Sequence, residues 1–109
     1  MNTRVTYMYR DASNYKESKD VIFVGEVARD EKLYLETTDE FIAAEVGLES
    51  LQPLLTSFPS EDDHVYHEVS SVEATDEAPT DSRTIQEFVG ELLARPDDVA
   101  KAMADLGIF

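Results

Sequence analysis

A chain of 109 residues, 42% of them apolar, is sized for a single domain, 1–109, with one modest core. It has no cysteine, which excludes disulfides, thiolate zinc sites and a cysteine nucleophile together. Its formal net charge is −15, and this acidity disfavours direct binding to nucleic acid or to anionic membranes, since both need cationic side chains.

The charge is also unevenly spread. From residue 33 to residue 82 there is no Lys or Arg, while acids run through that interval from Glu36 to Asp81. Such a surface attracts a basic protein surface, which is the expected partner class. The opening MNTRVTYMYRD lacks the apolar stretch of a secretory signal, and no apolar run approaches the ~18 residues of a membrane span. These features predict a soluble, cytoplasmic protein, either a monomer or a homodimer, with no cofactor.

In chain order, RVTYMY (4–9) alternates Val5, Tyr7 and Tyr9 against Thr6 and Met8, the period of a strand. RDASNYKESKD reads as a turn or a loop of about ten residues, because Asp, Ser and Asn hydrogen-bond their own backbone. VIFVGEV (21–27) has the apolar run of a strand covered on both faces, with Gly25 as a bulge. The two strands would form a wide antiparallel hairpin.

Residues 28–47 are ambiguous. KLYLE alternates like a strand, yet ARDEKLYLE also fits two helical turns. EFIAAEVGL reads as an extended piece running into a short helix near Gly47, and LESLQPLL as a further short helix. HVYHEVSSVEAT (64–75) is β-branched and strand-like, but Val72 falls out of phase with Val65, His67 and Val69. A bulge at Ser70 and Ser71 would restore it.

Thr84 and Glu87 form a capping box ahead of Ile85, Phe88, Val89, Leu92 and Leu93, one apolar stripe of an amphipathic helix that Pro96 ends. A second helix over about 97–105 makes residues 96–109 a C-terminal helical extension, with Asp97 and Asp98 at its positive end. The expected fold is α+β: an antiparallel sheet of three to four strands packed against the helix at 85–94.

DDHVYHE (62–68) is the one stretch that invites chemistry. Asp62, Asp63, His64 and His67 carry metal-ligating and acid–base groups. On a strand, however, His64 and His67 point to opposite faces and cannot share an ion. His67, between Val65 and Val69, reads rather as a partly buried, hydrogen-bonded core residue, with His64 at the strand entry. The segment YRDASNYK offers a second candidate binding surface through Tyr9, Arg10, Asp11, Asn14 and Tyr15, because loops on rigid scaffolds often carry function. No G-x-S-x-G, phosphate loop or zinc spacing is present, so no catalytic or metal-binding residue is assigned.

The combination of YRDASNYK, FIAAEVGL, DDHVYHE and TDEAPT resembles a group of small bacterial proteins of unassigned function, over residues 5 to about 94. That resemblance implies a compact α+β domain in a bacterial cytoplasm and no activity, cofactor or catalytic residue. Taken with the charge, the sequence predicts a non-catalytic interaction or regulatory module. The competing expectation is a metal-dependent or enzymatic protein built on the His64/His67 cluster.

Overall fold

Strand β1 (Asn2–Arg10) lies at the centre of the molecule. Its odd residues Thr3, Val5, Tyr7 and Tyr9 are all buried, and its even residues face outward. A computed structural model describes residues 1–10, 16–51 and 66–106, apart from the side chains of Met103, Asp105 and Leu106. The other elements are β2 (Lys16–Phe23), α1 (Arg29–Thr37), β3 (Phe41–Ile42), a 3-10 turn (Ala43–Val46), β4 (Tyr66–Thr75), α2 (Ile85–Leu93) and α3 (Val99–Leu106). The four strands form an antiparallel sheet in the order β2-β1-β4-β3.

The fold is α+β, and α2 covers the inner face of the sheet. Its buried stripe of Ile85, Phe88, Val89 and Leu92 joins Val5, Tyr7, Val21, Phe23, Leu35 and Phe41 in one core. The Phe23 and Phe88 rings stack at 4.4 Å. The capping box forms as expected: Thr84 Oγ1 accepts from the Glu87 N–H at 3.1 Å, and the Glu87 carboxylate accepts from the Thr84 N–H at 3.2 Å. Beyond the helix, Arg95 Nη1 donates to the Leu92 carbonyl at 2.7 Å, satisfying a last-turn acceptor ahead of Pro96.

Several expectations are corrected. The loop expected after Arg10 is shorter, because β2 resumes at Lys16 opposite Arg10 and pairs in register to Phe23 opposite Thr3. Polar KESKD forms strand here because β1 supplies a ladder and the outer face is solvated. Gly25 is no bulge. It takes φ +90 after the end of β2, a conformation that costs glycine nothing. The stretch left open between strand and helix resolves as helix over Arg29–Thr37, with Leu33 exposed and Leu35 buried, a split that a strand would not allow. Glu31 caps that helix by accepting from the Ala28 N–H at 2.8 Å. Residues 48–51 are not helical, and the rest of the helix expected there lies outside the described residues.

The expected β-bulge is present. Thr6 faces Ser71 but Tyr7 faces Val69, so Ser70 is the extra residue and both His67 and Val72 turn inward. The edge of β2 is partly covered as well. Val24 donates to the Arg83 carbonyl at 3.0 Å, and Ile85 donates to the Val24 carbonyl at 2.9 Å, which binds the 83–85 segment alongside the strand end.

Arg83 joins these layers. Its guanidinium meets Asp81 through Nε at 3.0 Å and Nη2 at 2.7 Å, the Val46 carbonyl at 2.6 Å, the Gly47 carbonyl at 3.4 Å, and Glu91. Gly47 closes the 3-10 turn at φ +71, and a Cβ there would lie 3.1 Å from two Arg83 nitrogens. Gly47→Ala should therefore lose about 1–3 kcal/mol of stability by urea titration, from left-handed strain and a displaced Arg83.

Hydrogen bonds from the Arg83 side chain hold the Asp81 carboxyl below its ordinary range, with burial opposing. A carboxyl more acidic in the folded state contributes fully above its unfolded pKa and loses that contribution as pH falls through the folded value. Asp81→Asn should thus be destabilised at neutral pH, and the difference in urea midpoint should shrink only as pH falls from about 4 through the lower folded-state value.

Candidate functional site

His67 enters from β4 onto the inner face of the sheet, among the rings of Tyr9 at 5.4 Å, Tyr7 at 5.9 Å and Phe41 at 6.3 Å. It is 2% exposed. Its Nε2 accepts the Leu51 N–H at 2.9 Å. A nitrogen that accepts carries no proton, so the ring is the neutral Nδ1–H tautomer. Beside it, Tyr7 donates its hydroxyl to the Glu49 carbonyl at 2.8 Å. Burial, and then the Glu49 charge, push the Tyr7 pKa up to about 12, so the hydroxyl stays protonated as a donor. Two buried side chains thereby pin the backbone at 49 and 51, which has no ladder of its own.

The sequence candidates separate under this geometry. Tyr9 and His67, from two different candidate clusters, meet in the core, and fully buried Tyr9 presents no surface. Arg10 is exposed at the end of β1 and pairs with Glu68 at 3.5 Å. Asp11, Asn14, Tyr15, Asp62, Asp63 and His64 lie outside the described residues. Among the described residues no group of three or more His, Asp or Glu side chains is placed to hold a metal ion.

Among the described residues, two hollows open near this point. One, of about 330 Å³, is lined by Ile42, Ala43, Ser50, His67, Pro96 and Ala102, with Glu45, Asp98 and Lys101 bringing charge to it. Glu45 also holds the start of α3, its carboxylate accepting from the N–H groups of Asp97 at 2.9 Å and Asp98 at 2.8 Å. The other hollow, of about 370 Å³, is a polar basin lined by Asp39, Glu40, Tyr66, Arg95 and Asp97. Burial and then Asp97, with smaller effects from Glu40 and Glu45, raise the Tyr66 hydroxyl above its ordinary value. Arg95 is turned away in part, to the Leu92 carbonyl and to the Tyr34 hydroxyl at 3.3 Å.

Sequence spacing does not disclose this basin, because its residues come from the α1–β3 connection, β4 and the α2–α3 connection. Comparison with protein-family models, curated proteins and solved structures finds no match to this chain. No helix among the described residues is long and apolar enough to cross a membrane.

His67→Ala should cost about 2–4 kcal/mol by leaving a cavity and an unpaired Leu51 N–H. Imidazole nitrogen NMR at neutral pH should show Nε2 of His67 unprotonated. A cationic ring would overturn the assigned role.

Proposed function

We propose that this protein is a small, non-catalytic interaction or regulatory module of the cytoplasm whose acidic surface receives a basic protein partner. The supporting observation is the basin that gathers Asp39, Glu40 and Asp97 around Tyr66 against the single cation Arg95. Much of the remaining positive charge is matched within the chain. Arg4 pairs with Glu73 at 3.2 Å and with Glu77, Lys19 with Glu49 at 2.7 Å, and Arg83 with Asp81 and Glu91. A Lys or Arg offered by a partner would enter a region rich in carboxylates, steered there by the field of a −15 chain. The metal-dependent alternative draws no support from His67, whose Nε2 is committed to the Leu51 N–H.

The test compares wild type with Asp39→Asn/Glu40→Gln/Asp97→Asn, both immobilised. Asparagine tolerates the left-handed backbone of Asp97, φ 58, so the fold should persist and circular dichroism should verify it. Basic proteins should be retained by wild type at about 50 mM salt and released at about 500 mM, where screening is several-fold shorter in range. The neutralised chain should lose them. Capture of the same proteins with the same salt release by both chains would defeat the reading.

A further inference from the structure

The outer edge of β2 divides into a covered half and an open half. Ile22 is covered: its N–H donates to Thr80 Oγ1 at 2.9 Å, and its carbonyl accepts from the N–H groups of Thr80 at 2.9 Å and Asp81 at 3.1 Å. Both groups of Ile22 therefore point away from β1. Outward-pointing residues alternate along an antiparallel strand, and the β1–β2 register is unbroken from Phe23 to Lys16. Asp20, Ser18 and Lys16 consequently also aim their N–H and C=O groups outward. Residues 16–20 are exposed except for half-buried Glu17.

From this we infer that the open edge at 16–20 pairs with the same edge of a second copy of this chain, antiparallel, about a two-fold axis at Ser18. The backbone restricts the register first. Outward groups must meet outward groups, so an even-numbered residue must face an even-numbered one. That leaves three central registers. Placing Lys16 opposite Ser18 sets Glu17 against Glu17 of the other copy. Placing Ser18 opposite Asp20 sets Lys19 against Lys19. Only Ser18 opposite Ser18 brings Lys16 to Asp20 and Glu17 to Lys19, each twice by symmetry, with every charge opposite an opposite charge.

Lysines on an edge strand ordinarily keep edges apart. Here each meets a carboxylate, and the strip carries no net charge within a chain of −15. The Lys16–Asp20 pairs lie on the outer face, and the Glu17–Lys19 pairs on the face that carries α2. The in-chain contacts of Lys19 with Glu49 at 2.7 Å, and of Asp20 with Thr6 at 2.7 Å and with Arg4 at 4.0 Å, leave donors and acceptors to spare. The ladder would comprise about six backbone hydrogen bonds, two for each outward residue. Thr80 and Asp81 end it at Ile22. So short a strip buries less than the roughly 1,200 Å² of a stable complex, so the dimer is weak and reversible.

The full-length chain should show concentration-dependent dimerisation by sedimentation equilibrium at about 0.15 M salt, where the Debye length of roughly 8 Å screens the long-range repulsion but not the contact pairs. Ser18→Pro removes an outward N–H, which an edge strand tolerates, so it should fold and remain monomeric. Glu17→Lys and Lys19→Glu each set like charges in opposition twice, and each alone should weaken the dimer by about tenfold or more. Mixed together, these two variants restore both pairs and should associate close to wild-type strength. A wild type that stays monomeric, a dimer unaffected by Ser18→Pro, or a mixture no tighter than its components would each overturn the inference. The first of these outcomes would leave the edge to a strand from a different protein.

Discussion

The Arg83 guanidinium lies 5.4 Å from the ring centres of both Phe23 and Phe88, and each of its five N–H groups has an acceptor. Two acceptors belong to Asp81, two are the carbonyls that end the 3-10 turn, and one is Glu91 on α2. A single planar fork thus connects the sheet, the helix and the chain reversal at Gly47. Lysine would keep the charge but could not meet five acceptors spread over a plane. The position of the 3-10 turn follows from this junction, and that of the backbone at 49–51 from the Tyr7 and His67 rings behind it.

Much of the fold was legible because its signals are local. Val5, Tyr7 and Tyr9 alternate, the Thr84–Glu87 box opens α2, and the phase error at Val72 marks the bulge. The segment that was misread and the one left open share one cause. KESKD carries no apolar alternation, and it is strand only because β1 offers a partner. In α1 a single leucine is buried, so helical periodicity had almost nothing to act on. Local pattern reports what a segment buries, and these two segments bury little.

The candidate site was less legible for a related reason. His67 was recognisable as a core residue, but its partner is a backbone N–H sixteen positions away, and no side-chain pattern encodes that. Arg83 is the first Lys or Arg after residue 32, yet nothing around it marks it as a junction. The acidic basin assembles two connections and the start of β4, which are neighbours only in space. Composition correctly marked the chain as acidic and said nothing of where the carboxylates converge.

The pairing of β1 with β4 also bears on how the molecule comes to be folded. Asn2 sits opposite Thr75, so the centre of the sheet joins the first strand made to the last. The β1–β2 hairpin closes over a short connection and can form within microseconds, whereas docking β4 requires a far larger chain closure and is correspondingly slow. During synthesis the hairpin must wait with the apolar stripe of Val5, Tyr7 and Tyr9 uncovered until β4 and then α2, which ends at Leu93, have left the ribosome. The intervening base-free stretch gives each waiting chain a dense negative charge, and mutual repulsion keeps such half-made chains from adhering to one another.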